Sequence, residues 1–158
     1  MELANAAYGQ GEVLATPLQM ALVAATVANG GVEPRPRLVT AFVSPSGAVR
    51  DVPGGTLGRV LSAEDAATIA AAMTRAVEGI DGQKFTSGAQ VAGVSVAGKT
   101  GTAQLGGTGE PHSWFIGFAP AESPTIALAV IVEQGGGGGK RAAPLAGALL
   151  RAYFAAQP

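Results

Sequence analysis

Three strand-like segments follow one another in the second half of the chain, and the connections between them constrain the fold strongly. Residues 113–118 and 125–132 are rich in apolar side chains, and a short turn that contains two prolines joins them. Residues 91–96 predict a third strand, which can extend through residue 104. The glycine-rich loop 105–111 follows it. Strands joined so closely pair antiparallel, because a parallel pair needs a crossover of about a dozen residues or more. The pattern therefore predicts a three-stranded antiparallel meander.

Helices are predicted around this meander. Thr16 is a good N-cap for a helix over 16–29, Pro17 suits its first position, and Gln19 completes a capping box. Leu18, Leu22 and Ala25 lie on one face of this helix. The last helix is predicted over 142–155, with an apolar face at Leu145, Leu149, Ala152 and Tyr153.

The segment between the first helix and the meander holds a hairpin and another helix. Residues 38–43 and 48–52 predict a hairpin across a Ser-Pro-Ser-Gly turn. Ser62 caps a helix over 62–78 that Gly79 ends, and Ile69, Met73, Ala76 and Val77 form its expected buried stripe. The fold class is therefore α+β, an antiparallel sheet with flanking helices.

Composition narrows the class of protein. The chain has 158 residues and a net charge of −1, so it lacks the positive field that attracts nucleic acid. Only 13% of its residues are charged, against about 25% in a usual soluble domain, which suggests a part of something larger. It has no cysteine and one histidine, which excludes disulfides and zinc sites built on several such ligands. No signal peptide is visible, and the longest apolar run, Ile126–Val132, is far shorter than a bilayer span.

The segment around Lys99 has two functional interpretations. Residues 93–100 satisfy the pattern G-x-x-x-x-G-K-[ST] of a phosphate-binding loop. Such a loop must open a helix, whose N-terminus helps to hold the phosphates. Residues 101–111 contain four glycines and a proline, which disfavour a helix there. A nucleotide site is therefore the weaker interpretation.

The second interpretation is the K-T-G signature of serine enzymes that react with penicillin, in which the motif lies on an edge strand. The Lys99 ammonium would attract a substrate carboxylate. Thr100 and Thr102 are two residues apart, so they face the same side of a strand and can both bind that carboxylate. Gly101 would leave the strand open to close approach. A backbone N–H here can form half of an oxyanion hole.

Wider segments resemble the transpeptidase domains of penicillin-binding proteins, class B enzymes of high-GC bacteria in particular. Residues 8–21 are similar to the family's stretch G-Q-G-x-x-x-x-T-P-L-Q-x-A, and residues 28–31 resemble the end of the same helix. Residues 97–104 resemble the strand that carries K-T-G, and residues 113–120 and 126–133 resemble the next two strands. These segments occur in the family's order over nearly the whole chain.

The resemblance implies a serine D,D-transpeptidase that cross-links peptidoglycan and is acylated by β-lactams. Its partners would be the peptidoglycan stem peptide and the antibiotics, its location the outer face of the bacterial membrane, and no cofactor or metal is expected. Lys99 would be the K-T-G lysine, and Thr100 and Thr102 would contact the carboxylate of the stem peptide. Lys99 and Thr102 carry the expected catalytic roles, because the Thr102 N–H would join the oxyanion hole.

Two motifs of the family are absent from this sequence. The residues three positions before the three lysines are Asp81, Val96 and Gly137. None of them is serine, so the sequence has no S-x-x-K motif to supply the nucleophile. Leu3 and Val27 stand two residues before the asparagines, so no S-x-N exists either. We expect residues 1–158 to be a single partial domain, entered after the second motif, inactive alone and with apolar surface left exposed. The missing part of the domain would then be another partner.

Three alternatives remain open beside the transpeptidase interpretation. One is a pseudo-transpeptidase that binds muropeptides without turnover, the second is a β-lactamase, and the least favoured is the nucleotide binder. His112 lies beside Pro111 and is expected to be structural, and residues 135–139 are expected to be a flexible connector rather than a phosphate loop.

Overall fold

The computed structural model describes residues 2–7, 9–11, 13–80, 88–106 and 108–157. Within them the elements are, in chain order, α1 (Glu2–Ala6), α2 (Pro17–Ala28), β1 (Val32–Pro34), β2 (Ala41–Val43), β3 (Val49–Asp51), β4 (Thr56–Arg59), α3 (Ala63–Glu78), β5 (Ala97–Ala103), β6 (His112–Ala119), β7 (Ile126–Val132) and α4 (Ala142–Ala155).

The caps at both predicted helix starts are present. The Thr16 hydroxyl accepts from the Gln19 N–H at 3.2 Å, and the Gln19 side chain accepts from the Thr16 N–H at 2.8 Å. The Ser62 hydroxyl accepts from the Asp65 N–H at 3.0 Å, and α3 ends at Gly79 with φ at +94°. Local sequence alone therefore placed the ends of α2 and α3, because each cap satisfies backbone groups that the helix itself leaves unpaired.

The predicted antiparallel meander is confirmed as one sheet in the order β5–β6–β7. Ala97 lies opposite Phe118, and Ala103 lies opposite His112. The strand predicted over 91–96 is wrong, because Val91 and Val94 close only an isolated bridge and the strand begins at Ala97. The structure contains only the predicted extension of that strand toward residue 104, which ends at Ala103. Residues 81–87, between α3 and β5, lie outside the described residues.

The two faces of this sheet pack against different helices. On one face, Phe115 forms a core with residues of α4, including Ala142, Ala146 and Leu150. On the other face, Phe118 packs with Val27 of α2 and Met73 of α3. The sheet is thus covered on both sides, and the α+β class is confirmed.

Glycine lets the Phe115 ring lie flat on the sheet. An ideal Cβ at Gly98 would lie 2.2 Å from the ring's Cζ, and one at Gly117 would lie 2.9 Å from its Cε1. The same ring therefore occupies the space that a side chain would need at either position. Close packing of this ring therefore requires glycine at both positions.

The first half of the chain forms two small sheets. Strands β2 and β3 make the predicted hairpin, shorter than expected at its start, since residues 38–40 precede β2. Strand β1 pairs antiparallel with β4, which the sequence did not predict, because its four residues carry little apolar alternation. All three residues of β3 are exposed, so the hairpin stands away from the core.

The predicted buried faces of the helices are partly wrong. In α3, Met73 and Val77 are buried as expected, but Ile69 is exposed. The leucines on the apolar faces of α2 and α4, namely Leu18, Leu145 and Leu149, are exposed as well. In α4 the buried side is made of small residues, namely Ala142, Ala143, Ala146 and Gly147, together with Leu150. The cause is backbone proximity: the helix lies too close to Gly88 and Ala89 for leucine to fit between them.

Large apolar side chains are exposed in many places among the described residues. Leu14 is 94% exposed, Leu38 is fully exposed, and Val43 is 69% exposed. This agrees with the expectation of uncovered apolar surface, although single exposed apolar residues are normal on proteins. Among the described residues, none of the helices is long and apolar enough to cross a bilayer.

We predict that Gly147→Ala destabilises the chain, although alanine favours helices by about 1 kcal/mol over glycine. An ideal Cβ at Gly147 would lie 1.9 Å from the Gly88 carbonyl oxygen, and overpacking of this kind costs about 1–3 kcal/mol. Urea unfolding followed by the fluorescence of the single tryptophan, Trp114, measures the change. The control is Gly55→Ala, where a Cβ meets no atom within 4 Å. Equal stability of the two variants would contradict the packing of α4.

Candidate functional site

The K-T-G residues lie on an edge strand, as the sequence predicts. Lys99, Thr100, Gly101 and Thr102 are all in β5, which among the described residues pairs with β6 alone. Side chains alternate along a strand, so Thr100 and Thr102 share the face of Phe115 and α4, whereas Lys99 shares the face of Trp114 and Ile116. The lysine and the threonines therefore meet only at the strand's edge.

The hydrogen bonds of β5 show which of its backbone groups face outward. At one end, the Val96 N–H donates to the Glu78 carboxylate at 2.9 Å. At the other, the Thr102 carbonyl accepts from the Gln10 side chain at 3.0 Å. These are even-numbered positions, and N–H and C=O groups alternate sides with each residue. The N–H groups of Thr100 and Thr102 consequently point away from β6, to the free edge.

The Lys99 ammonium lies at this same edge. Its Nζ donates to the Thr100 carbonyl oxygen at 2.7 Å, although the side chain leaves the strand on the opposite face from Thr100. Lys99 is exposed. An ammonium carries three donors, so it can hold this carbonyl and still bind an anion beside the edge.

The Thr102 hydroxyl is contacted by the glycine tract 135–139. The Gly138 N–H donates to Thr102 Oγ1 at 3.4 Å, which occupies a lone pair and leaves the hydroxyl proton able to donate to a carboxylate. The expected flexible connector is wrong for this part of the tract, since Gly138 is buried. Glycine stands at position 138 because a larger residue would clash with the strand backbone, and not because the chain must be flexible there.

Gly138 lies directly over the middle of the K-T-G motif. An ideal Cβ at Gly138 would lie 2.5 Å from both the Gly101 and the Trp114 carbonyl oxygens, and 2.9 Å from the Gly101 nitrogen. Gly101 and Trp114 are opposite each other in the β5–β6 ladder. The tract therefore packs across the ladder, and it holds the motif from the face of the two threonines.

A cavity of about 290 Å³ lies on the lysine's side of the edge. Its walls come from the turn around Gln10, from Val13 and Met20, from β5, and from Trp114 and Ile116 of β6. Apolar walls beside one ammonium suit a ligand that carries a carboxylate on an apolar body.

The nucleotide interpretation fails on context. Lys99 lies inside a strand that continues to Ala103, so the described residues place no helix N-terminus behind the lysine. A phosphate-binding loop requires that helix.

The other candidate residues have structural partners. His112 Nδ1 accepts from the Gln134 N–H at 3.0 Å, which fits the expected structural role. Ser113, the serine of β6, is fully buried: it donates to the Gly137 carbonyl at 3.1 Å and accepts from the Ala142 N–H at 3.0 Å. Among the described residues, His, Asp and Glu form no group of three that could hold a metal.

Sequence reasoning gave no role to Gln10 or Gly138, which both contact Thr102. The G-Q-G letters were visible as part of the resemblance, but 92 residues separate Gln10 from Thr102. Tyr8 and Glu12, which belong to the same stretch, lie outside the described residues.

The sequence model described as the penicillin binding protein transpeptidase domain matches residues 1–151. The chain is 42% identical over 159 residues to the peptidoglycan D,D-transpeptidase PbpA of Mycolicibacterium smegmatis, covering 95% of this chain and 31% of that protein. It is 38% identical over 165 residues to PbpA of Mycobacterium tuberculosis, covering 99% and 33%. The chain thus spans about a third of the length of these relatives.

Solved structures are similar as well. Penicillin-binding protein A from M. tuberculosis in a penicillin G acyl-enzyme complex gives a TM-score of 0.84 at 38% identity, over 96% of this chain and 35% of that one. The imipenem acyl-enzyme complex of the same protein gives 0.83 at 36% identity, over 96% and 34%.

We predict that Gly138→Ala disturbs the K-T-G strand. The added methyl would push the tract away from the Gly101 and Trp114 carbonyls, so the backbone amide resonances of Gly101 and Thr102 should move in a nitrogen–proton NMR spectrum. Gly139→Ala is the matched control, because a Cβ there meets nothing within 4 Å. Unmoved Thr102 resonances in Gly138→Ala would argue against the contact.

Proposed function

This chain belongs to the penicillin-binding protein transpeptidase domain family, and from that premise we propose that it forms the substrate-binding wall of a serine D,D-transpeptidase. The whole enzyme would cross-link the stem peptides of peptidoglycan. The observation that carries the proposal is the free edge of β5, where outward N–H groups stand beside the Lys99 ammonium.

Each K-T-G residue has a proposed task at this edge. Lys99 supplies positive charge for the carboxylate of a stem peptide, and the hydroxyls of Thr100 and Thr102 donate to that carboxylate. Gly101 keeps the edge open, since it has no side chain. The Thr102 N–H supports the oxyanion of the tetrahedral intermediate, a charge that is absent from the bound substrate and develops as the nucleophile adds.

The nucleophile would come from outside this sequence. The chain contains no S-x-x-K, and Ser113 is buried and engaged on both sides. We propose that residues 1–158 are one partial domain that works with a further part carrying the serine and its base. The extracytoplasmic face of the bacterial membrane is the proposed location, because peptidoglycan is assembled there.

β-Lactams are the proposed inhibitors. Penicillin-binding protein A from M. tuberculosis, whose structure is similar, forms acyl-enzymes with penicillin G and imipenem. Penicillin G and imipenem carry a carboxylate on the ring carbon bonded to the lactam nitrogen, close to the reactive carbonyl, so the same Lys99 charge and the same Thr102 N–H would serve them.

We predict that the 158-residue chain alone is not labelled by a fluorescent penicillin. Covalent labelling needs an activated nucleophile, which the sequence does not supply. Gel fluorescence after incubation of the purified chain is the measurement, with intact M. tuberculosis PbpA as the positive control. Stoichiometric labelling of the chain would overturn the proposed partial site.

A chimera tests the proposed contribution of this chain. In it, residues 1–158 replace the matched third of M. smegmatis PbpA, and we expect fluorescent penicillin to label it. Lys99→Ala should lower the second-order labelling rate about 10- to 100-fold, because a hydrogen bond to a charged group is lost. Lys140→Ala is the control for loss of one positive charge elsewhere, and it should label normally.

Two other outcomes would favour other functions. Reversible muropeptide binding by a folded chimera that penicillin never labels would favour a non-catalytic binding protein. Rapid turnover of a chromogenic cephalosporin by the labelled chimera would favour a β-lactamase.

A further inference from the structure

The G-Q-G turn has no task in the proposed function, yet it reaches the K-T-G strand. Gln10 Nε2 donates to the Thr102 carbonyl oxygen at 3.0 Å, and Gln10 Oε1 accepts from the Gln104 N–H at 3.4 Å. One carboxamide therefore contacts two backbone groups, one on either side of Ala103. The Thr102 carbonyl lies on the free edge of β5, and the Gln104 N–H directly follows the last residue of the strand.

Local structure explains why glycine flanks this glutamine. Gly9 and Gly11 both have φ at +78°, a left-handed conformation that glycine adopts without strain. The Gln10 N–H donates to the Asn5 carbonyl at 2.9 Å, at the end of α1. The two left-handed residues and this bond turn the chain tightly and hold Gln10 where its side chain reaches β5.

The chemistry of a carboxamide fits the two partners. A carbonyl oxygen only accepts and an N–H only donates, so the pair requires one donor and one acceptor on the same planar group. The partners also settle which end of the amide is nitrogen. Carboxylate and hydrocarbon side chains lack the donor, so among side chains of this length only glutamine provides both ends.

The carboxamide acts toward β5 as one residue of a neighbouring strand would. It occupies the Thr102 carbonyl and the Gln104 N–H, so these groups are closed to an extended ligand. Lys99 occupies the Thr100 carbonyl. The Thr102 N–H thus lies on the edge between two anchored carbonyls, and its direction depends on both.

We propose that Gln10 is a positioning residue for the Thr102 N–H. We also propose that Gln10 limits how far along the β5 edge a ligand can pair. This rests on the proposed function, in which that N–H supports the oxyanion. Gln10 acts through β5 and does not touch the reacting atoms. A shift of about 1 Å in such a donor is enough to lower a rate strongly.

The first test uses the 158-residue chain and needs no activity. In Gln10→Ala, amide hydrogen exchange measured by NMR should be at least about tenfold faster at Gln104, because its acceptor is gone. Gln10→Glu keeps the side chain's shape and the acceptor but removes the donor, so Thr102 and Ala103 resonances should move while the fold is retained. Gln157→Glu is the control for the same change of group at an exposed position. Unchanged exchange at Gln104 in Gln10→Ala overturns the proposal.

The second test separates positioning from stability. In the PbpA chimera, Gln10→Ala and Gln10→Glu should lower the acylation rate constant about tenfold and leave the dissociation constant of the reversible penicillin complex unchanged. A merely structural contact would lower the melting temperature and leave acylation per folded molecule unchanged, and that result overturns the proposal.

The two tests also distinguish failure of the proposed function from failure of the proposed role of Gln10. If Lys99→Ala labels as fast as the unchanged chimera, the transpeptidase site itself is wrong, and the exchange measurement on the 158-residue chain then decides the Gln10 contact alone. If Lys99→Ala is slow and both Gln10 variants are as fast as the unchanged chimera, only the role of Gln10 is overturned.

Discussion

Within the described part of the chain, β5 pairs along one edge only, and the site depends on this constraint. Strand β5 pairs residue by residue with β6 from Ala97 to Ala103, and its other edge faces outward. A strand buried between two neighbours would have no N–H left for a ligand. The protein limits the exposed edge by capping it at both ends, with Glu78 on Val96 and Gln10 on Thr102. What stays open is a short stretch around the K-T-G motif.

Small residues make this arrangement compact. The Phe115 ring lies where side chains at Gly98 and Gly117 would be, and Gly138 lies against the backbone of Gly101. Close backbone packing holds the strand in place from the α4 face. Packing of this kind needs small residues at the points where backbones and the ring meet.

The chain and its relatives differ in extent as well as in sequence. It matches about a third of the length of each PbpA, with nearly its whole length aligned. The described structure nonetheless contains two packed clusters, one on each face of the sheet. The K-T-G strand is thus supported on both faces of the sheet by residues of this chain itself.

The sequence by itself determined the ends of α2 and α3, the antiparallel meander and the edge position of Lys99. These follow from contacts between residues near in sequence, such as Thr16 with Gln19, or from motif letters that resemble a family. Tertiary structure alone decided which helix faces are buried, where β5 begins, and that Gln10 meets Thr102. Those outcomes depend on how closely backbones approach across the fold, and residues 92 positions apart carry no local signal that they will touch.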